Sequence, residues 1–142
     1  MVVLIASILA VFALPSLTSA PAVSLAATTA QVATSIRYAQ SLAQSRGQRF
    51  RVNFTANTYQ VTDMGGAPVV QPIGGGTGPV SIAPATLSGY NPPLTGSFVA
   101  FDTRGVPYVS ATAALAAAAT ITVTSGADAA SIVISPETGR VK

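Results

Sequence analysis

Histidine and cysteine are both absent from this 142-residue chain. Their absence removes imidazole bases, thiol nucleophiles, His/Cys metal centres and any disulfide framework. A Ser-His-Asp triad is thereby excluded. Charge is scarce as well: 8% of the residues are Asp, Glu, Lys or Arg, against roughly 25% in a typical soluble domain. The four acids, Asp63, Asp102, Asp128 and Glu137, are scattered along the chain, so neither a carboxylate dyad nor a dense calcium site is expected. Composition points away from an enzyme and calls for no metal, cofactor or small-molecule substrate.

What is present is concentrated. No charge occurs before Arg37, and Met1 to Leu14 is apolar except for Ser7. As a helix these 14 residues would span about 21 Å, short of a hydrocarbon core of roughly 30 Å. The run therefore reads as most of a transmembrane helix without its beginning. A secretory signal peptide, with small residues around Thr18-Ser19-Ala20, is the competing reading, although it lacks a positively charged start. Further on, Leu25, Val32, Ile36, Ala39 and Ala43 recur at helical spacing, and Gly47 is placed to end the helix. Pro15 stands between the two segments, where it would kink a continuous helix.

After Gly47 the period becomes two. Phe50, Val52 and Phe54 alternate with Arg49, Arg51 and Asn53, and Tyr59 and Val61 begin a return strand, so 49–62 reads as a hairpin. Val80 to Ile82 is a short strand within a Gly- and Pro-rich stretch. Two more hairpins are expected, one around Asp102-Thr103-Arg104-Gly105 and one around Ser125-Gly126-Ala127-Asp128. The Ala-rich run 111–119 fits a helical turn, a loop or a weak strand. A helix followed by antiparallel strands is an α+β arrangement, with the helix laid on one sheet face.

Two motifs have plain readings. Gly74-Gly75-Gly76-Thr77-Gly78 lacks the Lys-Ser/Thr pair of a phosphate loop and reads as a surface loop. Asn53-Phe54-Thr55 matches a glycosylation acceptor but reads as strand sequence. The cations are of more interest. Arg46, Arg49 and Arg51 gather at the helix-to-strand junction, and Gly139-Arg140-Val141-Lys142 ends the chain. Cations on a mobile tail can follow a phosphate backbone; equally, they keep a neutral protein in water.

The first fifteen residues resemble the N-terminal signature of type IV pilin-like proteins. Met1-Val2-Val3 matches the middle of that family's apolar run, and Ala13-Leu14-Pro15 matches its end. Within that superfamily the chain resembles the GspH/FimT branch of minor pseudopilins, through Arg37-Tyr38-Ala39, Ser45-Arg46-Gly47-Gln48, Phe101-Asp102-Thr103-Arg104-Gly105 and Gly139-Arg140. The resemblance implies a long hydrophobic N-terminal helix packed on an antiparallel β-sheet domain. It makes 1–22 a transmembrane and filament-core helix, built on Val2, Val3, Leu4, Ile5, Ile8, Leu9, Val11, Phe12, Leu14 and Pro15. Residues 23–142 become a periplasmic domain, with a half-helix over 23–47 and a sheet over 48–142. The leader peptide, the processed first residue and the family's glutamate would then lie upstream of Met1.

The resemblance further implies a single-pass bacterial inner-membrane protein that enters a filament. Its partners would be other pilins, through the N-terminal helix, and a type II secretion or type IV pilus machinery. One alternative follows from the Gly-Arg-x-Lys ending shared with DNA-binding competence pilins: Arg140 and Lys142 would hold phosphates and Gly139 would set the turn, with Arg46, Arg49 and Arg51 as further contacts. A second alternative is a small secreted β-rich adhesin with a cleaved signal peptide.

Overall fold

The computed structural model describes residues 20–142 except 92 and 95, with side chains from residue 24 onward. The residues expected to form a membrane helix, Val2 to Pro15, lie outside the described residues. Among the described residues, no helix is long and apolar enough to cross a membrane.

Helix α1 runs Ala20–Arg46, continuous across residue 22. All five expected face residues, Leu25, Val32, Ile36, Ala39 and Ala43, are buried, together with Ala33, Ser35 and Leu42. Threonine is a weak helix former because its hydroxyl competes for backbone groups. Here Thr28, Thr29 and Thr34 donate to the carbonyls of Ser24, Leu25 and Ala30 one turn back, so these hydroxyls bond within the helix instead of breaking it. Gly47 ends the helix with φ +63°, the left-handed conformation that glycine adopts without penalty.

Eight strands follow among the described residues: β1 Phe50–Phe54, β2 Thr58–Asp63, β3 Val80–Ser81, β4 Thr86–Asn91, β5 Phe98–Phe101, β6 Pro107–Tyr108, β7 Ala119–Ser125 and β8 Asp128–Ile134. The three expected hairpins form: β1 with β2, β5 with β6 and β7 with β8, all antiparallel. The single expected sheet is instead two, ordered β3-β2-β1-β5-β6 and β4-β7-β8. Strand β4 was not legible because a bulge between Leu87 and Gly89 breaks its alternation. Its Ser, Gly and Asn also have low strand propensity.

The helix packs against β1, β2 and β5 of the larger sheet and β7 and β8 of the smaller. The inward residues of both sheets, among them Phe50, Val52, Tyr59, Val99, Phe101, Ile121, Ile132 and Ile134, complete one core with it. The sheets meet where the rings of Phe54 and Tyr90 lie 5.9 Å apart. Burial there raises the Tyr90 phenol above its ordinary pKa. The Ala-rich run is an irregular edge segment: Ala114 bridges to Tyr108, Leu115 is buried, and Ala119 opens β7. Beyond its short pairing with β3, the edge of β2 is closed by the buried Gln71. Its Oε1 accepts from Val61 N at 3.0 Å and its Nε2 donates to Val61 O at 3.1 Å, in place of a neighbouring strand.

Candidate functional site

The C-terminal segment has a defined place. Val133 and Lys142 exchange both backbone hydrogen bonds at 2.9 Å, and Ser135 N donates to Arg140 O at 2.9 Å. The expected mobile tail is thus corrected to a segment paired with the end of β8. Val141 inserts into the core, while Arg140 and Lys142 on either side of it are exposed. Alternation along the extended segment explains this: one apolar side chain anchors it and the two cations face outward. Arg37 on the helix donates from Nη2 to Val141 O at 3.1 Å. Arg37 is therefore tied to the backbone of the segment that carries Arg140 and Lys142, a link that sequence pattern alone did not show.

Gly139 sets the turn before this segment with φ +64°. It is buried against the turn Asp102–Gly105. A Cβ on Gly139 would overlap the Gly105 carbonyl oxygen and lie 2.5 Å from Gln40 Nε2. Gly105 has φ +83°, and a Cβ there would overlap Gln44 Nε2. Helix α1 ties the two turns together: Gln40 Nε2 donates to Gly105 O at 3.0 Å and to Thr138 O at 2.9 Å, and Gln44 Nε2 donates to Arg104 O at 3.2 Å. The Arg-Gly and Gly-Arg pairs, distant in sequence, are neighbours in space. Arg37, Gln40 and Gln44 occupy one helical row at spacings of three and four. That periodicity was the available signal for them.

Asp102 organises the first of these turns. Its buried carboxylate accepts from the amides of Arg104 and Val106, both at 2.9 Å, and from Arg104 Nη2 at 3.2 Å. Burial alone would raise its pKa. The Val106 and Arg104 amides and the Arg104 guanidinium outweigh that effect and hold it below the ordinary carboxylate value. The Arg104 side chain is 77% exposed, so the ion pair itself contributes little.

Arg46, Arg49 and Arg51 do not converge on the tail. Each lies over an aromatic ring: Arg46 over Phe50 at 5.7 Å, Arg49 over Tyr108 at 4.2 Å and Arg51 over Phe98 at 5.1 Å. The glycine run 74–78 is an exposed loop held by Gln71 N to Gly76 O and Gln60 Nε2 to Thr77 O. The shallow cleft beside it is lined by Gln71, Gly74, Gly76, Gly78, Pro79 and Val80, with no charged group. Asn53 is a half-buried strand residue whose Nδ2 donates to Thr62 Oγ1 at 2.9 Å. Among the described residues, no three His, Cys, Asp or Glu side chains gather as a metal site.

Residues 28–139, which hold both glycine turns and most of the helix, match the family model described as type II transport protein GspH. The chain belongs to the GspH family. The GspH match ends at Gly139, so Arg140, Val141 and Lys142 lie beyond it. Two crystal structures of the type IV minor pilin FimU of Pseudomonas aeruginosa are similar in fold to this GspH-family chain. In space group P65 the TM-score is 0.60 at 13% identity, over 83% of this chain and 90% of FimU. In space group P21 it is 0.58 at 14% identity, over 83% of this chain and 86% of FimU. No curated protein matches the chain. At such low identity the likeness is one of fold: an N-terminal helix packed on antiparallel sheets.

Proposed function

We propose that this chain is a minor pseudopilin or pilin subunit whose role is mechanical rather than catalytic. The observation that carries the reading is the GspH match over a helix-on-sheet domain whose helix is preceded in sequence by an apolar, charge-free run. The apolar segment holds the subunit in the inner membrane before assembly and packs against other such helices in the filament. The sheets, with both glycine turns locked to the helix, face the periplasm and meet neighbouring subunits. Secretion or pilus machinery drives the transfer from membrane to filament.

The absence of native cysteine makes this testable by cross-linking. Ala27 and Ala30 lie on the exposed face of α1. Ala27→Cys is expected to cross-link to the helices of other pilin subunits in sheared filaments, whereas Asp128→Cys, at an exposed turn, is not. A chain found only as a soluble secreted species, without helix cross-links, overturns the reading and favours the adhesin.

A second reading, DNA capture, is supported by the outward-facing Arg140 and Lys142 beside Arg37. In this reading Gly139 shapes the turn, and the paired segment presents its two cations in fixed positions to phosphates.

A further inference from the structure

Strand β8 has an unguarded edge. Both main-chain groups of Val133 bond to Lys142, so they point away from β7. In an antiparallel ladder that orientation repeats at every second residue. The register Thr120↔Val133, Thr122↔Ser131 and Thr124↔Ala129 is unbroken, so the N–H and C=O of Ser131 and Ala129 point outward too. Both residues are exposed, and among the described residues nothing pairs with these groups. The other edges are blunted: Gln71 closes β2 beyond β3, a bulge breaks β4, and Ala114 bridges to β6. A charge, a proline or a bulge would guard β8 in the same way, but Ala129-Ala130-Ser131 contains none.

The C-terminal segment shows that this edge accepts a strand, because it pairs antiparallel at Val133 and Ser135. The open residues lie in line with it. Strand β8 runs parallel to α1. At one end Leu87 of β4 bonds to Ala56 and Gln31 reaches Tyr59; at the other Arg37 meets Val141. Ala33, Ala30 and Ala26 precede Arg37 at spacings of four, three and four, so they share its side of the helix. Ile132 and Ile134 are buried and Ala130 packs partly buried against the core. The even-numbered face of β8 therefore looks toward the helix, and Ala129 and Ser131 look toward water.

We propose that this edge receives an extended segment of a different protein, antiparallel to β8 and in line with residues 140–142. Only an extended backbone presents donors and acceptors at this repeat. The segment's residues opposite Ser131 and Ala129 exchange main-chain hydrogen bonds with them and face water. The residue between them, opposite Ala130, faces inward and is apolar. The next residue, opposite Asp128, is a cation, since opposite charges across a strand pair are favoured. Asp128 is exposed and has no ion-pair partner among the described residues. A second copy fits less well. Antiparallel pairing of β8 with β8 needs a two-fold axis through Ala130, which points the two helices in opposite directions, whereas subunits anchored in one membrane have parallel helices. A copy in the same orientation offers β4, whose bulge interrupts its pairing groups. The choice of a different protein rests on the filament reading; the strand pairing does not.

The test titrates the full chain, in neutral detergent, with the capped peptide Thr-Val-Thr-Lys, following backbone amides by NMR and hydrogen exchange. The Ala129 and Ser131 amides are expected to shift and to exchange more slowly. The same peptide N-methylated at both threonines keeps its side chains but loses its donors, and should bind about tenfold more weakly. Asp128→Asn should weaken the parent peptide several-fold. Equal binding of the N-methylated peptide overturns the proposal, as do shifts confined to Arg37, Arg140 and Lys142. A peptide-free dimer in which Ala129 and Ser131 are already protected gives the edge to a second copy and overturns it too. Helix cross-links in filaments with no peptide-induced shift refute this inference alone. Peptide binding by a chain that forms no such cross-links upholds the pairing and removes the filament reading.

Discussion

Gly139 stacks directly on the carbonyl of Gly105, with Gln40 of the helix donating into the space between their two turns. This contact joins the turn between β5 and β6 and the turn after β8 to the helix. It gives the Arg-Gly and Gly-Arg pairs a packing role separate from any role of their cations.

The first prediction separates those roles. Gly139→Ala combines a positive φ with overlap against backbone, and should cost about 3 kcal/mol of stability. Gly105→Ala, where the first neighbour is the flexible end of Gln44, should cost less. Arg140→Ala should stay within about 0.5 kcal/mol of the parent. Denaturant unfolding of the full chain in detergent measures all three.

Asp102 predicts an acid sensitivity. Its folded pKa is depressed, so its contribution is complete above the ordinary carboxylate value of about 3.9 and is lost as pH falls through the lower folded value. Asp102→Asn keeps the Oδ1 acceptor for both amides but loses the charge, and should lower stability by about 1 kcal/mol at neutral pH. The gap from the parent should narrow below about pH 4. Paired unfolding curves from pH 7 to acid check the sign; a gap that widens on acidification contradicts it.

Ser35 makes the opposite case. Its Oγ is buried and has no hydrogen-bond partner. Removing an unsatisfied polar atom relieves its desolvation cost, so Ser35→Ala should be neutral or stabilising by about 1 kcal/mol. By contrast, Ile36→Ala beside it should cost about 3 kcal/mol through the cavity left in the core. Thermal unfolding distinguishes the two neighbours.

For the DNA reading, Arg140→Ala/Lys142→Ala should weaken a gel shift at low salt. The slope of log affinity against log salt should become shallower by about two, near 0.9 for each phosphate no longer neutralised. Arg49→Gln/Arg51→Gln should leave that shift unchanged. An equal shift with and without Arg140 and Lys142 removes the tail from the account.

Much of the fold was legible because burial wrote a period into the sequence. Leu25 to Ala43 repeat at helical spacing and Phe50 to Phe54 alternate, and each of these apolar residues is buried. The glycines were legible as turn formers but not as neighbours, because local pattern does not encode that Gly105 and Gly139 meet. Strand β4 was hidden by its bulge, and with it the second sheet. The pairing of the C-terminal segment was hidden because a single anchor, Val141, carries no period. Arg37 was visible as a helix-surface cation, but only the folded chain brings it to the tail carbonyl.

The most direct measurement of the central claim is the intact mass of the chain recovered from sheared filaments and from the inner membrane. The pseudopilin account predicts a filament-borne chain that retains its apolar N-terminal segment. A secreted species beginning near Pro21 or Ala22, absent from both fractions, would contradict it.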